Sequence, residues 1–132
     1  MPLVELVALV AVVEYLVFGM LVARARGKYK VAAPAITGHP VFERFYRVHA
    51  NTMEMLIVFL PALWIAGRYA APLLIGGFGA LFVVARVWYA VAYVREPKSR
   101  ALPFVLGMTA LSVLVITALV GVLRSLGWTA HV

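Results

Sequence analysis

Cysteine and aspartate are both missing from this 132-residue chain, and five glutamates face twelve lysines and arginines. Without cysteine there is no disulfide, no thiolate metal site and no protein thiol to act as a nucleophile. Any sulfur chemistry must therefore arrive with a ligand. No glycine-rich nucleotide loop or serine triad is present, which removes the NTPase and hydrolase classes. His39 and His49 have no metal-like partners at helical spacing, and His131 lies near the C-terminus, so no metal site is expected. The N-terminus carries Glu5 in place of a basic leader and shows no small-residue cleavage site, so it is expected to stay as a first membrane helix.

What the chain has in abundance is apolar surface: 65% of its residues are hydrophobic. Soluble domains are nearer half apolar, so the composition indicates an integral membrane protein. Leu6 to Ala23, Tyr69 to Ala85 and Ala101 to Leu123 are spans by hydropathy. Met55 to Gly67 is too short alone, but a helix starting near Pro40 makes it long enough. The expected fold is all-α, a single four-helix membrane domain with helices at about 3–26, 40–68, 72–95 and 101–126. Pro61 is expected to kink the second helix. Gly76, Gly77, Gly79 and Ala80 should let the third approach its neighbours closely. Trp64, Tyr69, Trp88 and Trp128 suit interfacial aromatic belts.

The net charge of +7 is concentrated around the first and third connections, at Arg24, Arg26, Lys28, Lys30, Arg44 and Arg47, and at Arg95, Lys98 and Arg100. In a four-helix bundle these connections share a side. The positive-inside rule makes that side cytoplasmic and places both termini outside it; in a bacterium the membrane would be the inner one. Basic residues flanking membrane helices set topology or contact anionic headgroups, so nucleic acid is not expected as a partner.

Two polar stripes interrupt the apolar helices. Arg47, Asn51 and Glu54 share one helical face; Arg86, Tyr89 and Tyr93 share another. Ionisable groups in a bilayer are costly, and they usually face the bundle interior and mark a site. At 1.5 Å per residue, Glu54 and Arg86 should both lie roughly 15 Å inside the basic boundary, close enough to pair. Above them Arg26, Arg47, Arg95 and Arg100 are expected to converge. Guanidinium groups hold carboxylates in forked geometry, and an arginine beside a thiol favours its thiolate. Glu14, mid-helix, suits a proton or a cationic substrate, as in small multidrug exporters, or a structural pairing with Arg86 or a hydroxyl.

The run Gly38-His39-Pro40-Val41-Phe42-Glu43-Arg44-Phe45-Tyr46-Arg47-Val48-His49-Ala50-Asn51-Thr52-Met53-Glu54 closely resembles the signature of the MAPEG superfamily, the membrane-associated proteins of eicosanoid and glutathione metabolism. The resemblance continues through Ala85-Arg86-Val87-Trp88-Tyr89, Tyr93, Arg95 and Arg100. It implies a homotrimer with glutathione as co-substrate, bound between neighbouring subunits. Arg26, Arg47, Asn51, Glu54, Arg86, Tyr89 and Tyr93 would form the glutathione pocket, and Arg100 would act catalytically by stabilising the thiolate. A lipophilic electrophile or lipid hydroperoxide would enter from the bilayer. Met55, His49 and Gly27 depart from the leukotriene-synthesising branch, which has tyrosine, glutamine and arginine there. The resemblance thus favours a broader glutathione transferase or peroxidase. A non-catalytic lipid-binding scaffold and a proton-coupled exporter using Glu14 are the competing expectations.

Overall fold

Proline punctuates the chain, because its missing N–H costs nothing in the first turn of a helix. In the computed structural model, which describes residues 1–127, four long helices follow this pattern, three beginning with a proline and the fourth following a 3-10 turn that does. They are α1 (Pro2–Lys28), α2 (Pro40–Tyr69), α3 (Pro72–Arg95) and α4 (Ala101–Ser125), the last preceded by a 3-10 turn over Pro97–Arg100. No strand occurs among the described residues. Trp128 and His131 lie outside them. All four helices are long and apolar enough to cross a membrane.

The bounds fall within about two residues of the sequence expectation. α2 runs without a break through Pro61, whose ring lies on the exposed side. Its start is fixed by His39, whose Nδ1 accepts from Val41 N at 3.2 Å while its ring stacks on Tyr29, 4.0 Å between centroids. His49 likewise stacks on Tyr15, at 4.3 Å. Both histidines thus have structural partners.

α1 packs on α2 and α3, and α4 packs on the same two from the other side. The central core joins Val4, Val7, Phe59, Leu63, Ile75, Phe82, Leu111 and Leu114. Phe59 and Phe82 stack at its centre, 4.1 Å apart. Leu6, Leu9, Leu16 and Met20 on α1 and Ile116 and Leu119 on α4 point outward, where hydrocarbon is the solvent that suits them.

The glycines of α3 divide by face. Gly76 and Gly79 are buried, whereas a Cβ at Gly77 would meet nothing within 4 Å. A Cβ at Gly79 would lie 2.7 Å from Val7 Cγ1 and 2.9 Å from Leu63 Cδ1. Replacing Gly79 with leucine should destabilise the fold by about 1–3 kcal/mol, as overpacking does, and Gly77→Leu should change little. Thermal unfolding in detergent checks the contrast.

Candidate functional site

The bundle's basic end is anchored by side-chain bonds to backbone carbonyls. Arg44 Nη1 donates to the Val94 carbonyl at 3.0 Å, tying α2 to the last turn of α3. After α3 ends, Ser99 Oγ lies 2.7 Å from the Glu96 carbonyl and 3.1 Å from that of Ala92. That turn folds the chain back and sets Arg100 over the end of α3.

The two stripes do face one another. Arg47, Asn51 and Glu54 from α2, Tyr89 and Tyr93 from α3, and Lys98 and Arg100 from the turn line one open cleft of about 820 Å³, closed below by Phe104 and Val105 of α4. Three cations face one carboxylate there, a balance that favours an anionic guest. Its volume lies within the range of small-molecule sites.

Along one side two stacked rings lie between two cations. The Arg86 guanidinium carbon lies 4.3 Å from the Tyr89 ring centre. Tyr89 stacks on Tyr93 at 5.7 Å with 12° between planes. The Arg100 guanidinium carbon follows, 5.5 Å from the Tyr93 ring. Guanidinium groups stack well on aromatic faces, so this ladder holds two flexible arginines at fixed heights. Neither tyrosine hydroxyl makes a hydrogen bond among the described residues, which leaves both available to a ligand.

The direct Glu54–Arg86 pair does not form. Asn51 stands between them: Arg86 Nη1 donates to Asn51 Oδ1 at 2.9 Å, and Asn51 Nδ2 donates to Glu54 Oε2 at 3.5 Å. The amide accepts on one edge and donates on the other, so it relays where direct contact is out of reach. Thr52, which sequence reasoning left without a role, completes the anchor. It is fully buried, receives Arg86 Nη2 at 2.8 Å and passes its own proton to the Val48 carbonyl at 2.7 Å. Its signal in the sequence was a hydroxyl beside Asn51 on an otherwise apolar flank. Arg86 itself is 3% exposed, so it supports the cleft from behind.

Two arginines expected in this convergence lie elsewhere within the chain. Arg26 Nη1 donates to the carbonyls of Ala35 at 2.7 Å and Val31 at 3.3 Å, with its guanidinium over Phe42, so it pins the α1–α2 connection. Arg95 points into a groove between α1 and α3. Glu14 is buried, and its Oε2 has no hydrogen-bond partner; neither the Arg86 pairing nor a hydroxyl contact forms among the described residues.

Below the cleft, and sharing Glu54 with it, an apolar groove of about 360 Å³ runs between α2 and α4 past Met55, Val58, Met108, Leu111 and Val115. The polar cleft and the apolar groove thus adjoin at Glu54.

Comparison with known proteins identifies the family. The sequence profile of the MAPEG family matches residues 4–120. The chain is 40% identical over 121 residues to an uncharacterized protein of Synechocystis sp., covering 92% of this chain and 88% of that one. It is 35% identical over 108 residues to microsomal glutathione S-transferase 2 of Bos taurus, covering 82% and 74%. With leukotriene C4 synthase of Cavia porcellus the identity is 34% over 121 residues, covering 92% and 81%. The chain belongs to the MAPEG family.

Proposed function

We propose that this MAPEG-family membrane protein is a glutathione transferase with peroxidase capacity, acting on lipophilic electrophiles and lipid hydroperoxides. The observation that carries the reading is the cationic cleft with its arginine–tyrosine ladder, adjoining an apolar groove at the shared Glu54. One of the relatives bears the name of a glutathione S-transferase. Glutathione is a water-soluble tripeptide with two carboxylates, and the second substrate is oily. A site for both needs one polar compartment and one lipid-facing compartment in contact.

In this reading Arg47 takes a glutathione carboxylate, Asn51 and Glu54 meet its peptide groups and amine, and the Tyr89 and Tyr93 hydroxyls complete the hydrogen bonding. Arg86 holds Asn51 and Tyr89 in register. Arg100 lies beside the sulfur and favours the thiolate, with the proton leaving to water. The thiolate then attacks an electrophilic carbon, forming the C–S bond as the leaving group departs with its electron pair. With a hydroperoxide the sulfur attacks the terminal oxygen. Glutathione sulfenic acid forms and the alcohol leaves; a second glutathione then gives the disulfide and water. The protein contributes position and electrostatics, not a covalent bond.

Arg26 belongs to the pocket only if a second copy supplies it, since its own chain uses it at the α1–α2 connection. A homotrimer with the site between subunits meets that requirement. The basic end is cytoplasmic in this reading, and both termini lie on the other side.

Purified protein assayed with glutathione plus an aryl halide, and separately with a lipid hydroperoxide, tests the reading. Product from either supports it. Bound lipid without turnover of any electrophile would favour a non-catalytic scaffold. Arg47→Ala should raise the Kd for glutathione by about tenfold or more, the worth of one charge-assisted hydrogen bond, and leave kcat nearly unchanged. Equilibrium dialysis reads the first quantity.

A further inference from the structure

α3 separates the polar cleft from a second concavity. Between α1 and α3 lies an apolar slot of about 630 Å³, walled by Val13, Val17, Phe18, Val87 and Val91. At the basic end it adjoins a smaller cavity of about 310 Å³, since Leu21, Phe45 and Val94 line both. That cavity is capped by Arg24, Lys28 and Tyr29, and Arg95 guards the adjoining rim of the slot.

We propose that this slot is a specific site for one acyl chain of an anionic phospholipid, whose phosphate is held by Arg24, Lys28 and Arg95. Three observations carry it. The cations gather at one end: among the described residues no acidic side chain lines the cap, and the only one in the slot is Glu14, ten residues deeper on α1. The three basic side chains are exposed and make no hydrogen bond to protein among the described residues. The depth also fits. Ten residues of helix span roughly 15 Å, which is one leaflet of a hydrocarbon core of about 30 Å.

The polarity fixes the orientation. A phosphate at the cap meets three cations, whereas a phosphate at the bottom would meet the Glu14 carboxylate with hydrocarbon around it. A zwitterionic headgroup gains less, because its ammonium is brought against the same cations. Basic pockets between membrane helices select anionic headgroups on this principle. The inference does not rest on glutathione chemistry, because none of these residues lines the cleft.

Native mass spectrometry of the full chain in detergent, with phosphatidylglycerol and phosphatidylcholine of identical acyl chains at equal concentration, tests it. The expected result is one retained phosphatidylglycerol per chain, preferred by at least about tenfold, and not displaced by excess inorganic phosphate. The triple variant Arg24→Ala, Lys28→Ala, Arg95→Ala should lose the preference. Val91→Trp, at an exposed position in the slot wall, should lose retention of both lipids. Equal retention of the two lipids, displacement by phosphate alone, or either variant behaving as the wild type would overturn the proposal.

Discussion

Arg100→Ala is expected to lower the turnover number for conjugation by about 100-fold, while the glutathione Kd stays within about threefold, because removing one charged donor aimed at developing anionic charge costs on the order of 2–4 kcal/mol. The expectation comes from position. Arg100 closes the open end of the ladder, is exposed, and has no protein acceptor among the described residues, so its donors remain for a substrate. Arg100→Lys should recover only part of the rate, since an ammonium keeps the charge but loses the planar stacking on Tyr93. Steady-state kinetics paired with direct glutathione binding separates the effects. Retained turnover with lost affinity would make Arg100 a carboxylate anchor and move the thiolate elsewhere.

Arg86→Ala should have the largest effect on stability, about 3 kcal/mol or more. Two charge-assisted bonds disappear, each contributing about 1.5–3 kcal/mol, although buried Thr52 keeps its bond to the Val48 carbonyl. The cation beneath Tyr89 is lost as well. Because Arg86 sits behind the cleft, the functional loss should follow from disorder of Asn51 and Tyr89. Glutathione affinity and turnover should then fall together. Thr52→Val, which deletes one acceptor and keeps the shape, should produce a fraction of the same defect. Thermal unfolding in detergent measures the first claim; a wild-type melting temperature for Arg86→Ala would contradict it.

The fold was legible because the features that decide it are long and coarse. Four apolar stretches match a bilayer's thickness, and a proline opens each helical segment. The candidate cleft was legible by faces: Arg47, Asn51, Glu54, Tyr89, Tyr93 and Arg100 do line it together. What periodicity could not supply was reach. It put Glu54 and Arg86 at one depth, but Asn51 lies closer to the guanidinium and intervenes. It counted Arg26 among the converging arginines, whereas the carbonyls of Val31 and Ala35, a few residues along the chain, capture it first. Thr52 went unassigned because a lone hydroxyl on an apolar flank is ordinary in helices, where it bonds back to a carbonyl one turn earlier. This one does so, and also receives Arg86.

The missing cysteines now become useful, because any thiolate absorbance in a mixture of this protein and glutathione belongs to glutathione alone. Ultraviolet difference spectroscopy at neutral pH should reveal a thiolate band that saturates with glutathione concentration and vanishes in Arg100→Ala while the tripeptide remains bound. Saturable binding without that band in the wild-type protein, or a band of equal size in the variant, would mean that these arginines do not activate the sulfur.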